Sequence, residues 1–149
     1  MANEVLLLSI KPQFAEAILR NEKKVELRRL KPRVNKGDLV IVYASGDVRA
    51  IVGSFTVSEI LVGTPGSVWR EVQHCSGVTK RDYDAYFAGS EKAVGIAVEQ
   101  TTRLKRPLAL AEVRRKRPGF HPPQSFHYWS KCEVRALARN LLDVWRSRG

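Results

Sequence analysis

Lys23, Glu26 and Arg28 fall within the short stretch Asn21-Glu22-Lys23-Lys24-Val25-Glu26-Leu27-Arg28. Two cations and one carboxylate at this spacing can do two kinds of chemistry. The cations can hold a resident or developing negative charge, and the carboxylate can accept a proton or fix the cations by charged hydrogen bonds. The stretch reads as the end of a helix, a tight reversal and a strand. Side chains alternate along a strand, so Val25 and Leu27 point to a core while Lys24, Glu26 and Arg28 share the opposite face. Lys23 stands where the turn becomes strand and leans over that face. The bland alternative is a solvated strand face carrying ion pairs, each worth about 0–1 kcal/mol.

The elements around this stretch follow from the pattern of apolar residues. Residues 4–10, EVLLLSI, form a continuous apolar run of strand length. Pro12 then suits the first turn of a helix, where no amide hydrogen is required, and Phe14, Ala17 and Ile18 share one face. Residues 39–45, LVIVYAS, predict a buried strand, and residues 50–62 a long one that Gly53 allows to kink. Short helices are expected at 68–75 and 79–87, the second opened by Thr79 and Asp82. Trp69, Val72, Tyr83, Tyr86 and Phe87 are read there as packing residues. A strand at 93–99 continues into a basic edge that Pro107 stops. Arg114-Arg115-Lys116-Arg117 reads as a solvated turn, His121 to Trp129 as an extended entry, and residues 131–145 as a helix with one basic face.

The signature stretch resembles that of the ASCH family, a branch of the PUA-like superfamily of small RNA-associated β-barrels, whose motif is G-x-K-x-x-E-x-R after the first helix. Lys23, Glu26 and Arg28 match, and Asn21 stands at the glycine position. Asparagine is the next-best residue for a left-handed turn. Ser9-Ile10-Lys11-Pro12 and Pro122-Pro123-Gln124-Ser125-Phe126 are also similar to bacterial members. The resemblance implies an α+β fold: a small PUA-like β-barrel flanked by short helices, with a C-terminal helix, in one domain over residues 1–149. Some members resemble amidohydrolases of an acetylated cytidine nucleoside that use a lysine, a threonine and a glutamate. Here the lysine is Lys23 and Glu59 lies on the strand where the glutamate is sought, but Glu26 occupies the threonine position. A carboxylate lacks the hydroxyl that the nucleophilic role needs.

Composition narrows the partners. At 149 residues, 44% hydrophobic and 28% charged, the chain is long and apolar enough for a core. No apolar run reaches the roughly 20 residues of a membrane span, and the N-terminus lacks the basic region of a signal peptide. Cys75 and Cys132 lie far apart without zinc-ligand spacing, which suits reduced thiols in a cytoplasmic protein. The net charge is +11, and residues 101–149 hold 12 Lys and Arg against 3 Asp and Glu. A focused basic surface favours a polyanion.

Other chemistries find little to stand on. Gly63-Thr64-Pro65-Gly66-Ser67 lacks the G-K-[ST] ending of a phosphate loop. There is no G-x-S-x-G elbow, and His74, His121 and His127 lack zincin spacing, so neither a metal nor a cofactor is expected. The reading is a nucleic-acid-binding domain, with RNA the first partner expected and DNA the second, and no membrane. Lys11, Lys23, Arg28 and Arg29 would meet phosphate, and Arg33, Arg114 and Arg115 would extend the nucleic-acid-binding surface. Glu26, Gln124 and Ser125 would read base edges. If the protein is an enzyme, Lys23 with Glu26 or Glu59 would serve a nucleoside hydrolase or a metal-independent ribonuclease.

Overall fold

A computed structural model describes residues 4–137. Six strands form one sheet: β1 (Glu4–Ile10), β2 (Val25–Arg28), β3 (Leu39–Ala44), β4 (Ala50–Gly63), β5 (Ala93–Ala109) and β6 (Phe126–Ser130). Five helices accompany them: α1 (Pro12–Leu19), α2 (Pro65–Val72), α3 (Lys80–Phe87), α4 (Leu110–Lys116) and α5 (Lys131–Leu137). The sheet order is β2-β5-β4-β3-β1-β6, with β1 and β3 parallel and the other pairs antiparallel.

The apolar runs of β1 and β3 are continuous because both faces of the sheet are covered there. Val5, Leu7, Leu39 and Ile41 pack with Val113 and Val134 of α4 and α5. Leu6, Leu8, Val40 and Val42 face the other way, onto Ala15 and Ile18 of α1. A third cluster sets Val68 and Val72 of α2 and Tyr83 and Phe87 of α3 over Val25 and Leu27 of β2.

The α+β class and the flanking helices agree with expectation, but the sheet does not close into a barrel: β2 and β6 remain at its two edges. Pro107 does not stop β5. The β4–β5 register slips between Gly53↔Arg103 and Ile51↔Leu108, so Pro107 falls in a bulge where no ladder donor is needed. The basic run at 114–116 ends a helix rather than making a turn. Leu110 and Val113 bury one face, Glu112 lies in the first turn and Arg114, Arg115 and Lys116 in the last, charges that complement the dipole. His127 to Trp129 belong to β6, which pairs with β1. The helix expected over 131–145 is described as far as Leu137; Arg139, Leu141, Leu142, Trp145 and Arg146 lie outside the described residues.

Candidate functional site

The turn after α1 aims the signature. Asn21 has φ +62°. Its amide donates to the Ile18 carbonyl at 3.0 Å, and the Glu22 amide to the Ala17 carbonyl at 2.9 Å. This is a Schellman motif with asparagine in the usual glycine position. It reverses the chain so that Lys23 turns inward and β2 starts beside β5. Lys23 is 2% exposed, and its Nζ donates to the Ser76 carbonyl at 2.5 Å. The Phe14 ring lies 5.2 Å from Nζ, and Gly77, at φ +69°, fits against the lysine stem where a Cβ would come within 3.0 Å. Burial pulls the Lys23 ammonium below its ordinary value, opposed by the nearby Glu26 carboxylate.

Glu26 and Arg28 share the face of β2 opposite Val25 and Leu27, as alternation requires, and both are buried. A solvated face is therefore excluded. Arg28 Nε lies 3.2 Å from Glu26 Oε2, but its N–H is poorly aligned on that oxygen and makes no formal hydrogen bond. Arg28 Nη2 donates to the Ser9 carbonyl at 2.9 Å, and Nη1 approaches Ser125 Oγ at 3.5 Å. Ser9 in turn donates its amide to the Ser125 carbonyl at 3.1 Å and lies beside Tyr43 in the parallel β1–β3 ladder.

These groups floor a cleft of about 1230 Å³. One wall is α3, with Asp82, Tyr83 and Tyr86; the other is the start of α1 with Lys11 and Phe14, and the β3–β4 turn with Ser45, Gly46 and Arg49. Pro122 to Ser125 complete the rim. Tyr43 is 2% exposed, and burial pushes its phenol above the ordinary range, partly opposed by the Arg49 and Arg114 guanidiniums. Arg49 has φ +51°, an uncommon backbone for an arginine.

Of the residues singled out from sequence, the cleft brings together Lys11, Lys23, Glu26, Arg28, Arg29, Gln124 and Ser125. Arg33 lies elsewhere, over the Tyr128 ring at 4.3 Å and paired with Glu4 at 3.1 Å. Arg114 Nε donates to the Phe120 carbonyl at 3.1 Å, and Arg115 is exposed on α4; neither lines the cleft. Glu59 is exposed on β4, also outside it. The neighbours in the basic run have structural tasks. Lys116 Nζ donates to the Leu137 carbonyl at 2.8 Å, and Arg117 pairs with Glu133. Among the described residues no cluster of His, Cys, Asp and Glu has the makings of a metal site, and no helix is long and apolar enough to cross a membrane.

Sequence reasoning missed Ser9, Tyr43 and Arg49 as cleft residues. Ser9 and Tyr43 sit inside apolar strands, and only the parallel register sets them side by side. The polar ends of those strands, Ser9 before Lys11 and Tyr43 before Ser45, were the available signal.

A family model for the ASCH domain matches residues 8–102. The ASCH domain-containing ribonuclease of Zymomonas mobilis is 29% identical over 131 residues, which are 88% of each chain. The large ribosomal subunit protein uL22 of Ureaplasma parvum is 29% identical over 110 residues, 73% of this chain and 35% of that longer one. The crystal structure of the Zymomonas mobilis ASCH protein superposes with a TM-score of 0.87 at 28% identity, covering 93% of this chain and 96% of that one. The same protein has been solved with a tyrosine replaced by phenylalanine and with a serine replaced by alanine. With the signature residues on β2 and the family match spanning well over half of the sequence, this chain belongs to the ASCH domain family.

Proposed function

We propose that the cleft binds RNA and cleaves it by internal transphosphorylation. The observation that carries this reading is the buried Glu26–Arg28 pair on the cleft floor, its guanidinium also reaching Ser9 and Ser125. Lys11, Arg29 and Arg49 line the same cleft. A buried carboxylate, several cations and a protonated phenol lining one cleft are the equipment that a 2′-hydroxyl attack on phosphorus needs. The similarity to a protein named as a ribonuclease supports the substrate class. Tyrosine and serine, the residue types substituted in that relative, both line this cleft, Tyr43 and Ser125 among them.

In this reading Arg28 and Arg49 hold the phosphate. Glu26 takes the proton of the ribose 2′-hydroxyl, O2′ attacks phosphorus, and the P–O5′ bond breaks as Tyr43 gives its proton to the leaving oxygen. The products are a 2′,3′-cyclic phosphate and a 5′-hydroxyl; Glu26 then gives up its proton to solvent and Tyr43 takes one back. The high phenol pKa of Tyr43 suits an acid rather than a base. Lys23, bound to the Ser76 carbonyl, lines the same cleft and adds its charge there. The hydrolase of modified nucleosides has less support, because Glu26 stands where a hydroxyl is wanted and Glu59 lies outside the cleft.

The test is incubation of the protein with matched RNA and DNA oligonucleotides, followed by a denaturing gel and analysis of the new ends. RNA cut to 2′,3′-cyclic phosphates, with DNA intact and with activity lost in Glu26→Gln, supports the mechanism. DNA cleaved as fast as RNA overturns it. Tight, salt-steep binding without cleavage reduces the protein to an RNA-binding module.

A further inference from the structure

Two large hydrophobic side chains that the fold leaves exposed, Leu30 at 69% and Tyr86 at 37%, both line the mouth of the cleft. Single exposed apolar residues are ordinary on a protein surface, but these two flank a third feature. The Arg29 guanidinium lies over the Tyr86 ring, 4.6 Å from its centroid, and Tyr86 is braced by an edge contact with Phe87 at 4.8 Å. The sequence suggests a phosphate contact for Arg29 and a packing role for Tyr86. The geometry gives them one joint surface, cationic and backed by an aromatic ring, with Leu30 next in the chain and lining the same cleft.

We propose that this Arg29–Tyr86–Leu30 surface is a nucleobase subsite, on which an unpaired base next to the bound phosphate stacks. The inference rests on the RNA reading of the cleft. A guanidinium plane held against an aromatic ring presents a π-like face to a base while keeping its charge near the backbone. Bases splayed out of a strand are recognised in this way on aromatic rings and arginine planes. A base inside a duplex has both faces occupied by its neighbours, so the occupant is a base of a single strand. Arg28 and Glu26 are buried in the same cleft where Leu30 and Tyr86 are exposed, which leaves the phosphate to the floor and the base to the rim.

The test is equilibrium binding of short single-stranded oligonucleotides with 2′-fluoro sugars, which offer no 2′-hydroxyl for cleavage. A companion set carries one abasic position at each site in turn. The wild type should lose about tenfold in affinity when one particular base is removed. Arg29→Lys, which keeps the charge and loses the plane, and Tyr86→Ala should weaken the intact strand to a similar degree. Neither should weaken the strand lacking that base, and Tyr86→Phe should bind as wild type does. Intact and abasic strands bound equally by the wild type, or Arg29→Lys and Tyr86→Ala weakening both strands alike, would overturn the subsite while leaving the phosphate site in place. Failure of the wild type to bind any strand would remove the RNA reading and the subsite with it.

Discussion

Arg28 and Ser9 sit on strands that are not neighbours in the sheet, yet the Arg28 guanidinium donates to the Ser9 carbonyl at 2.9 Å. The last β1–β6 pair is Leu8↔Phe126, so the Ser9 carbonyl lies just past the ladder and needs a donor from elsewhere. Arg28 supplies it from β2, at the far edge of the sheet order. A side chain thus bridges two strands that no backbone ladder joins. Glu26, 3.2 Å away, compensates the buried charge. The bridge that holds the cleft floor is also the charge a phosphate would meet.

Arg28→Ala should therefore have two separable effects. It leaves the Glu26 carboxylate buried without its partner, which costs about 3 kcal/mol in urea unfolding. Replacing both residues, with Glu26→Gln beside Arg28→Met, should cost less than Arg28→Ala alone, because no uncompensated charge remains. On RNA, Arg28→Ala should weaken binding across sequences and lower the slope of log affinity against log salt by about one. An unchanged slope in a variant that is still folded would remove the phosphate role.

The depressed pKa of Lys23 sets the sign of a second effect. Because burial lowers it in the folded state, the unfolded chain binds the extra proton over the interval between the folded value and the ordinary 10.5. Stability then rises with pH through that interval. The penalty for the buried ammonium is complete below the interval and gone above it. Tyr43 and Tyr83, whose phenols are raised by burial, act in the opposite sense above their ordinary 10.0. The difference between wild type and Lys23→Met isolates the lysine. Urea unfolding from about pH 8 to about pH 11 should show a rising contribution in the wild type that the methionine variant lacks. Parallel curves would mean that Lys23 keeps an ordinary pKa.

Much of this site was legible before the fold was known. Lys23, Glu26 and Arg28 announced themselves by type and spacing, and Asn21 does make the left-handed turn expected of it. Pro122 to Ser125 also reach the cleft. Burial was not legible: a charged strand face reads as solvated, and the groups that meet Arg28 on that face, Ser9 and Ser125, come from distant parts of the chain. The strand β6 was hidden because Phe126 to Trp129 carries His127 and Tyr128 in a pattern that fits an extended loop as well. The helix α4 could have been found. Leu110 and Val113 have helical spacing with Glu112 before the cations, and four basic residues in a row masked that signal. Tyr43 and Arg49 reach one cleft through the β3–β4 register and a turn with positive φ, neither of which sequence spacing encodes.

Ser54 carries a prediction in the opposite direction from most substitutions. Its side chain is fully buried on β4 and its hydroxyl has no hydrogen-bond partner. A buried donor without a partner costs about 1–3 kcal/mol, and alanine removes the hydroxyl while leaving only a small void. Ser54→Ala should raise stability by about 0.5–1 kcal/mol, seen as a higher urea midpoint at unchanged slope. A lower midpoint would mean that the hydroxyl is satisfied in solution.

Tyr43 gives the most direct test of the chemistry. An acid must be protonated to act, and burial holds the Tyr43 phenol above its ordinary 10.0 despite the opposing Arg49 and Arg114 charges. If Tyr43 protonates the leaving 5′-oxygen, kcat/KM stays high as pH rises and falls only as the phenol ionises above that value. Tyr43→Phe keeps the ring in the core beside Ile41 and Ile51 and removes only the hydroxyl. It should lower kcat by about a hundredfold or more with KM nearly unchanged, and it should abolish the alkaline limb. An oligonucleotide whose 5′-oxygen is replaced by sulfur has a leaving group that needs no proton, and it should restore most of the rate to Tyr43→Phe. Equal losses on the oxygen and sulfur substrates would assign the hydroxyl to phosphate binding instead.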